Sequence, residues 1–177
     1  MPLWFRNADR RWPFFWEDSS QPAARWHAPG EGPAQYLADT PDGAWAEFLR
    51  HEEITDRADL VGIERHLWAI EVPDTEPEAE NPDLPDTTLK GGLSSYRDCQ
   101  LEARRLRGAG AMSLEAPSAA LRDGCARGEH TRSGLVEGLD QDGRVRVLFG
   151  PRPDLRGWLC AAEGQPSERL LPFVRPL

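Results

Sequence analysis

Hydrophobic and polar residues alternate along this chain in short runs, most of which have the two-residue period of a β-strand. These runs predict strands at Leu3–Asn7, Ala34–Ala38, His66–Val72 and Arg144–Gly150, and a further strand in AMSLEA before Pro117. The turn DQDG in front of Arg144 is typical of a hairpin. At the C-terminal end, Arg169–Leu177 predicts an edge strand that Pro172 interrupts.

The first stretch with a helical period follows the Ala34–Ala38 strand. Thr40 is a suitable N-cap and Pro41 a suitable first residue, which predicts a helix from Pro41 to about Glu53. Its apolar stripe consists of Trp45, Phe48 and Leu49. The 3.6-residue period places Glu47 on the other side, beside Ala44, Arg50 and His51. Periodicity by itself would predict a solvated Glu47.

A second helix is predicted from about Ser95 to Arg107. Apolar residues recur there at helical spacing, namely Tyr96, Cys99, Ala103 and Leu106. Gly108 is placed to end this helix, because glycine adopts the left-handed conformation common after a last turn.

Strands mixed with two or three helices, without regular βαβ alternation, predict an α+β fold. The 177 residues are enough for one domain with a substantial core, and we expect a single domain over residues 1–177. The acidic, Pro-rich stretch 71–88 is expected to be an exposed loop or excursion. Four of the seven Trp residues lie within the first 26 positions, which favours core packing over a concave surface.

Composition excludes several classes of function. The formal net charge of -9 argues against direct binding of nucleic acid, because neutralising phosphates needs a surplus of Lys and Arg. No run approaches the roughly 18 apolar residues of a membrane span, so we expect a cytoplasmic protein. The three cysteines are widely spaced and the four histidines are scattered, so we expect reduced thiols and no metal site. No Rossmann, P-loop, GxSxG or HExxH pattern is present.

The chain resembles the RES-domain family in an ordered set of short motifs. These are FR at Phe5-Arg6, RW at Arg25-Trp26, YLA at Tyr36–Ala38, the helix that carries Glu47, and APSAAL around Ser118. The order and spacing of the whole set, and not any single motif, carry the resemblance. The family takes its name from its characteristic Arg, Glu and Ser, and its members are toxins of bacterial toxin-antitoxin pairs.

The resemblance implies a fold similar to that of ADP-ribosyltransferases, with mixed or antiparallel sheets and a few helices. It also implies that NAD is the substrate and that its nicotinamide–ribose bond is cleaved by hydrolysis or phosphorolysis, without a metal. The expected partner is an Xre-like antitoxin that blocks the entrance of the site. The sequence leaves open whether the chain forms a homo-oligomer within such a complex.

The residue types in these motifs suit this chemistry. Arg25, helped by Arg6, can bind the pyrophosphate of NAD through its planar guanidinium, and Tyr36 can stack on the nicotinamide. Glu47 can stabilise the positive charge that develops on the ribose. Ser118 can hydrogen-bond the nicotinamide or a phosphate, and no base near it in the sequence would make it a nucleophile.

Each of these residues taken singly has a plainer structural role, and only their joint order favours a site. Two alternatives to an NAD-degrading enzyme stay open at this point. The first is a protein ADP-ribosyltransferase that uses the same site, with a target side chain as acceptor. The second is a catalytically silent module that only binds a partner.

Overall fold

The computed structural model of the chain describes residues 2–177. Its strands are β1 (Leu3–Ala8), β2 (Ala34–Ala38), β3 (Arg65–Glu71), β4 (Ser113–Pro117), β5 (Glu129–Thr131), β6 (Leu135–Glu137), β7 (Arg144–Phe149) and β8 (Gly157–Gly164). Its α-helices are α1 (Pro41–His51), α2 (Asp86–Leu89) and α3 (Tyr96–Gly108). Short 3-10 helices cover Arg57–Leu60, Leu93–Ser95 and Glu168–Phe173. No helix within residues 2–177 has the length and apolar character needed to cross a membrane.

Six strands form one antiparallel sheet in the order β4-β7-β2-β1-β3-β8. β5 and β6 form a separate two-stranded ribbon. The predicted α+β class with an antiparallel sheet and a few helices is therefore confirmed.

The six-stranded sheet is split between β1 and β2. β1 pairs with β3 over six residues, and β2 pairs with β7 over five. In contrast, β1 and β2 share one pair, Phe5 with Ala38. Beyond this pair the two strands separate, so two three-stranded halves leave a gap in the middle of the sheet.

Helix α1 begins as predicted. The Thr40 side chain accepts a hydrogen bond from the Gly43 amide at 3.0 Å, which caps the first turn. The helix ends at His51, two residues before the predicted end, and Glu53 then takes a positive φ of 52°. Trp45 and Leu49 are buried in the core, as the stripe predicts.

Helix α3 packs on the β4-β7-β2 half of the sheet through Cys99, Ala103 and Leu106, which are all buried. The helix ends one residue beyond the predicted Arg107, and Gly108 does not take the left-handed conformation that the prediction gave it. Gly108 is its last residue, Ala109 is the C-cap, and Gly110 takes the left-handed conformation with a φ of 98°. Because Gly108 was taken as the capping glycine in place of Gly110, the predicted end of the helix came too early.

Three other predictions need correction. The stretch 169–177 contains no strand, since a 3-10 helix covers Glu168–Phe173 with Pro172 inside it. The DQDG segment is not a hairpin turn, because β6 pairs with β5 whereas β7 pairs with β2 and β4. The N-terminal tryptophans do not all pack in the core, because Trp4 and Trp26 are buried but Trp12 and Trp16 are exposed.

Strand β8 was not predicted, because its mostly exposed residues do not alternate between apolar and polar.

The acidic stretch 71–88 forms no strand after β3, apart from an isolated bridge between Glu80 and Leu114. It leads into α2, whose last turn is followed by Lys90 and Gly91. The Thr88 and Gly91 carbonyls both accept hydrogen bonds from the Arg25 side chain. The end of the excursion is therefore part of the structure around Arg25.

Candidate active site

A cleft of about 250 Å³ opens where β1 and β2 separate. Residues of both strands line it, including Arg6 on β1 and Tyr36 on β2. Helix α1, the loop before Trp26 and Tyr96, which is the first residue of α3, also line it. Because the sheet is split here, side chains and backbone groups from both halves reach one space.

One side of α1 lines the cleft. Ala44, Glu47 and His51 line it at spacings of three and four residues. Glu47 is half-buried, and it lies on the side of the helix away from Trp45 and Leu49, as the helical period predicts. Phe48 departs from the predicted stripe, because it is half-buried and also lines the cleft.

Ser118 lies behind Glu47. Its side chain is buried, with 2% of its surface exposed, and it is not among the residues that line the cleft. The hydroxyl accepts a hydrogen bond from the Leu121 amide at 3.0 Å and donates a long one, at 3.5 Å, to Glu47 Oε1. The geometry therefore suits Ser118 to orienting the carboxylate.

Tyr36 forms a wall of the cleft and is fixed by two hydrogen bonds. Its hydroxyl accepts from the Trp26 amide at 2.9 Å and lies 3.0 Å from His27 Nδ1. The other ring nitrogen of His27 lies 2.9 Å from the Pro22 carbonyl, to which it donates. Burial lowers the pKa of His27 and raises the pKa of Tyr36. Both side chains are thus neutral at pH 7, with the Tyr36 hydroxyl donating to His27 Nδ1.

Arg25 lines the cleft but directs most of its donors at the protein. Nη1 donates to the Thr88 carbonyl at 3.2 Å and to Ser95 Oγ at 2.9 Å, and Nη2 donates to the Gly91 carbonyl at 2.5 Å. Its guanidinium also lies 4.7 Å from the centre of the Tyr96 ring. Arg25 therefore joins the segment after α2 to the start of α3.

Arg6 extends across the gap between the two halves of the sheet. Nη1 donates to the Tyr36 carbonyl at 3.0 Å, whereas the buried Nε has no hydrogen-bond partner within residues 2–177. Burial lowers the pKa of Arg6 to about 10, so the side chain stays cationic at neutral pH. A buried donor without an acceptor is costly in a folded protein.

Two further arginines line the cleft. Arg65 donates through Nε to Asn7 Oδ1 at 2.9 Å, and its guanidinium lies 4.6 Å from the centre of the Phe48 ring. Arg50 is 4% exposed and donates to the Pro176 and Gly91 carbonyls. Burial lowers the pKa of both guanidinium groups.

The cleft is locally cationic in a chain whose net charge is -9. Arg6, Arg25, Arg50 and Arg65 line it, against the carboxylates of Glu47 and Glu52. None of the four arginines forms a salt bridge with another of the described residues. Such a site attracts an anionic ligand. Within residues 2–177, no group of three or more His, Cys, Asp or Glu side chains is placed to hold a metal ion.

The structure thus brings Arg6, Arg25, Tyr36 and Glu47 to one cleft and places Ser118 directly behind it. Sequence reasoning did not identify four other residues that line this cleft, which are Arg50, His51, Arg65 and Tyr96. For Arg50 and His51 a signal was present, because the helical period places both on the Glu47 side of α1. Nothing local marked Arg65 or Tyr96.

In a comparison with known families, the RES domain family model matches residues 3–127, more than two thirds of the chain. The matched span contains every residue of the cleft named above. A search of curated proteins finds none that matches this chain.

Proposed function

The chain belongs to the RES-domain family, and on that premise we propose that it cleaves the nicotinamide–ribose bond of NAD in the cleft between β1 and β2. One observation carries the proposal: four arginines without salt bridges surround a cleft in which Glu47 is a half-buried carboxylate. Cations suit the pyrophosphate, and a carboxylate suits the reacting ribose.

In this reaction the bond between ribose C1′ and the ring nitrogen of nicotinamide breaks, and its electron pair goes to the nitrogen. Neutral nicotinamide leaves, so positive charge develops on the ribose in the transition state. The Glu47 carboxylate is placed to stabilise that charge and to hold a ribose hydroxyl. Water then supplies a hydroxyl to C1′ and releases a proton, or inorganic phosphate bonds to C1′ through one of its oxygens.

The size of the cleft fits the reacting half of NAD. Its volume of about 250 Å³ is below the roughly 300–1,000 Å³ of pockets that enclose a whole drug-sized ligand. The nicotinamide and its ribose would lie against Tyr36 and Tyr96, with Ser118 orienting Glu47. The pyrophosphate would lie among the arginines that line the cleft.

The biological role that we propose is that of the toxin in a toxin-antitoxin pair. Loss of NAD would harm the cell that makes the protein, so an inhibitor is needed, and an Xre-like antitoxin is the proposed partner. Family membership supports this role.

The test is to incubate purified protein with NAD and measure free nicotinamide, with and without inorganic phosphate. We expect release by the wild type and a loss of about 100-fold or more in Glu47→Gln, which keeps the shape of the side chain but removes the charge. Glu53→Gln is the matched control, because Glu53 is an exposed glutamate just beyond the same helix.

Three results would contradict the proposal or change it. Equal turnover by wild type and Glu47→Gln would exclude the role of Glu47. No nicotinamide release and no NAD binding would favour a silent binding module. Transfer of label from biotinylated NAD to a protein would favour an ADP-ribosyltransferase instead.

A further inference from the structure

The last residues of the chain pack against the segment that carries Ser118, although they lie outside the matched span. Val174 forms an isolated antiparallel bridge with Leu121, and the Arg175 amide donates to the Ala120 carbonyl at 2.7 Å. The Arg175 guanidinium donates to the Ser118 carbonyl at 3.0 Å, to the Leu121 carbonyl, and to Asp123 Oδ1 at 2.8 Å. The C-terminal segment 174–177 is thereby fixed beside the cleft.

The same segment holds Arg50. Nε of Arg50 donates to the Pro176 carbonyl at 3.1 Å, and Nη2 donates to the Gly91 carbonyl at 2.7 Å. The third nitrogen, Nη1, donates to no atom within residues 2–177, and it is not fully enclosed by protein atoms. Arg50 therefore keeps one accessible donor while two carbonyls fix the plane of its guanidinium.

Arg25 is used differently. Both of its terminal nitrogens donate to the protein, and one of them shares the Gly91 carbonyl with Arg50. Two guanidinium groups thus meet at one carbonyl oxygen, and neither has a carboxylate partner among the described residues. Of the four terminal nitrogens of the pair, Nη1 of Arg50 is the one that makes no hydrogen bond within residues 2–177.

A purely structural link between α1 and the C-terminal segment would not need this arrangement. Burying a cation is costly unless it is paired, and burial does lower the pKa of Arg50. Other arginines of the chain, such as Arg104 and Arg107, form salt bridges with Glu31. A bound anion would offset the repulsion between Arg25 and Arg50, as a carboxylate offsets it elsewhere.

We infer that Arg50 binds a phosphate group of the substrate, and that the C-terminal segment 174–177 positions it through the Pro176 carbonyl. The inference rests on the proposed function and deepens it, because it assigns the phosphate contact to a residue outside the motif set. Arg50 is a binding residue in this scheme, and Arg175 is a positioning residue that acts through Pro176 and the Ser118 segment.

The first experiment compares two substrates that differ in phosphate, NAD and nicotinamide riboside, by release of nicotinamide. A hydrogen bond to a charged group corresponds to about a 10- to 100-fold effect. In Arg50→Ala, we expect kcat/KM to fall at least about tenfold further for NAD than for nicotinamide riboside. Arg50→Lys should recover part of this difference, since it keeps the charge but not the fork. Equal losses for both substrates would overturn the inference.

Arg175→Ala tests the positioning role. We expect its KM for NAD to rise several-fold, with a smaller change in kcat and with partial recovery in Arg175→Lys. Arg169→Ala is the matched control, because Arg169 belongs to the same C-terminal region but its side chain is 85% exposed. An Arg175→Ala variant that loses thermal stability but keeps the wild-type KM would contradict positioning.

A second readout does not depend on catalysis. Calorimetric titration with inorganic pyrophosphate should show binding to the wild type and binding at least about tenfold weaker in Arg50→Ala. If the wild type releases no nicotinamide but binds pyrophosphate through Arg50, the proposed function fails and the anion site stands. If the wild type cleaves NAD while Arg50→Ala binds pyrophosphate normally, the inference fails and the proposed function stands.

Discussion

Replacing Tyr36 by phenylalanine removes one hydroxyl and keeps the ring that forms a wall of the cleft. The hydroxyl accepts from the Trp26 amide at 2.9 Å and donates to His27 Nδ1, 3.0 Å away. Trp26 is 2% exposed and His27 is fully buried, so water cannot readily replace the lost partner. Each buried polar group left unsatisfied costs about 1–3 kcal/mol, so the two groups give an expected loss of about 2–6 kcal/mol in the free energy of unfolding.

Urea denaturation followed by tryptophan fluorescence measures this loss. The matched control is Tyr96→Phe, because Tyr96 is the other tyrosine of the chain and also lines the cleft. Its hydroxyl makes no hydrogen bond within residues 2–177, so we expect a change within about 0.5 kcal/mol. A loss for Tyr36→Phe no larger than that for Tyr96→Phe would refute the assignment of the Trp26-Tyr36-His27 hydrogen bonds.

Three further predictions address other parts of the structure. Gly91→Ala should destabilise the protein by about 1–3 kcal/mol in the same denaturation assay, because a Cβ would lie 2.8 Å from the Thr87 carbonyl oxygen. Gly108→Ala should instead stabilise α3 by about 0.5–1 kcal/mol, because the space around Gly108 is open. Burial lowers the pKa of His27 below its ordinary 6.5, so the unfolded chain binds a proton more readily than the folded protein. The contribution of neutral His27 to the free energy of unfolding should be complete above about pH 7 and should decline as the pH falls through 6.5. The His27→Gln variant should lack this trend. In native protein a maleimide should label exposed Cys160 rapidly and buried Cys99 only after unfolding. Mass spectrometry of the digested protein measures this order, and rapid labelling of Cys99 in native protein would contradict its burial.

The junction between β2 and α1 could be predicted because its determinants are local. Alternation fixes which residues of Ala34–Ala38 share a face, and Thr40 followed by Pro41 fixes the start of the helix within a few residues. The side of α1 on which Glu47 lies follows from the same geometry. Where helical or strand period and capping residues determine the structure, a short stretch of sequence is enough to predict it.

The surroundings of Arg25 and Arg50 could not be predicted in this way. The acceptors of Arg25 lie 63 to 74 residues further along the chain, and the Pro176 carbonyl lies 126 residues beyond Arg50. The split in the sheet has the same origin, since it depends on how β1 and β2 each pair with a different neighbour. These features result from tertiary packing, which no local pattern encodes.

The motif residues Arg25, Tyr36 and Glu47 therefore do not contribute in the same way. Tyr36 is a neutral wall of the cleft, and its hydroxyl fixes the loop that contains Trp26 and His27. The terminal nitrogens of Arg25 donate to backbone carbonyls and to Ser95. Glu47 makes one long hydrogen bond, to Ser118, and so keeps its charge available to the cleft. Buried guanidinium groups without salt bridges, such as those of Arg25 and Arg50, are costly in a free protein. The cost is understandable if a ligand binds whose negative pyrophosphate pairs with the guanidinium groups and whose developing positive charge pairs with Glu47.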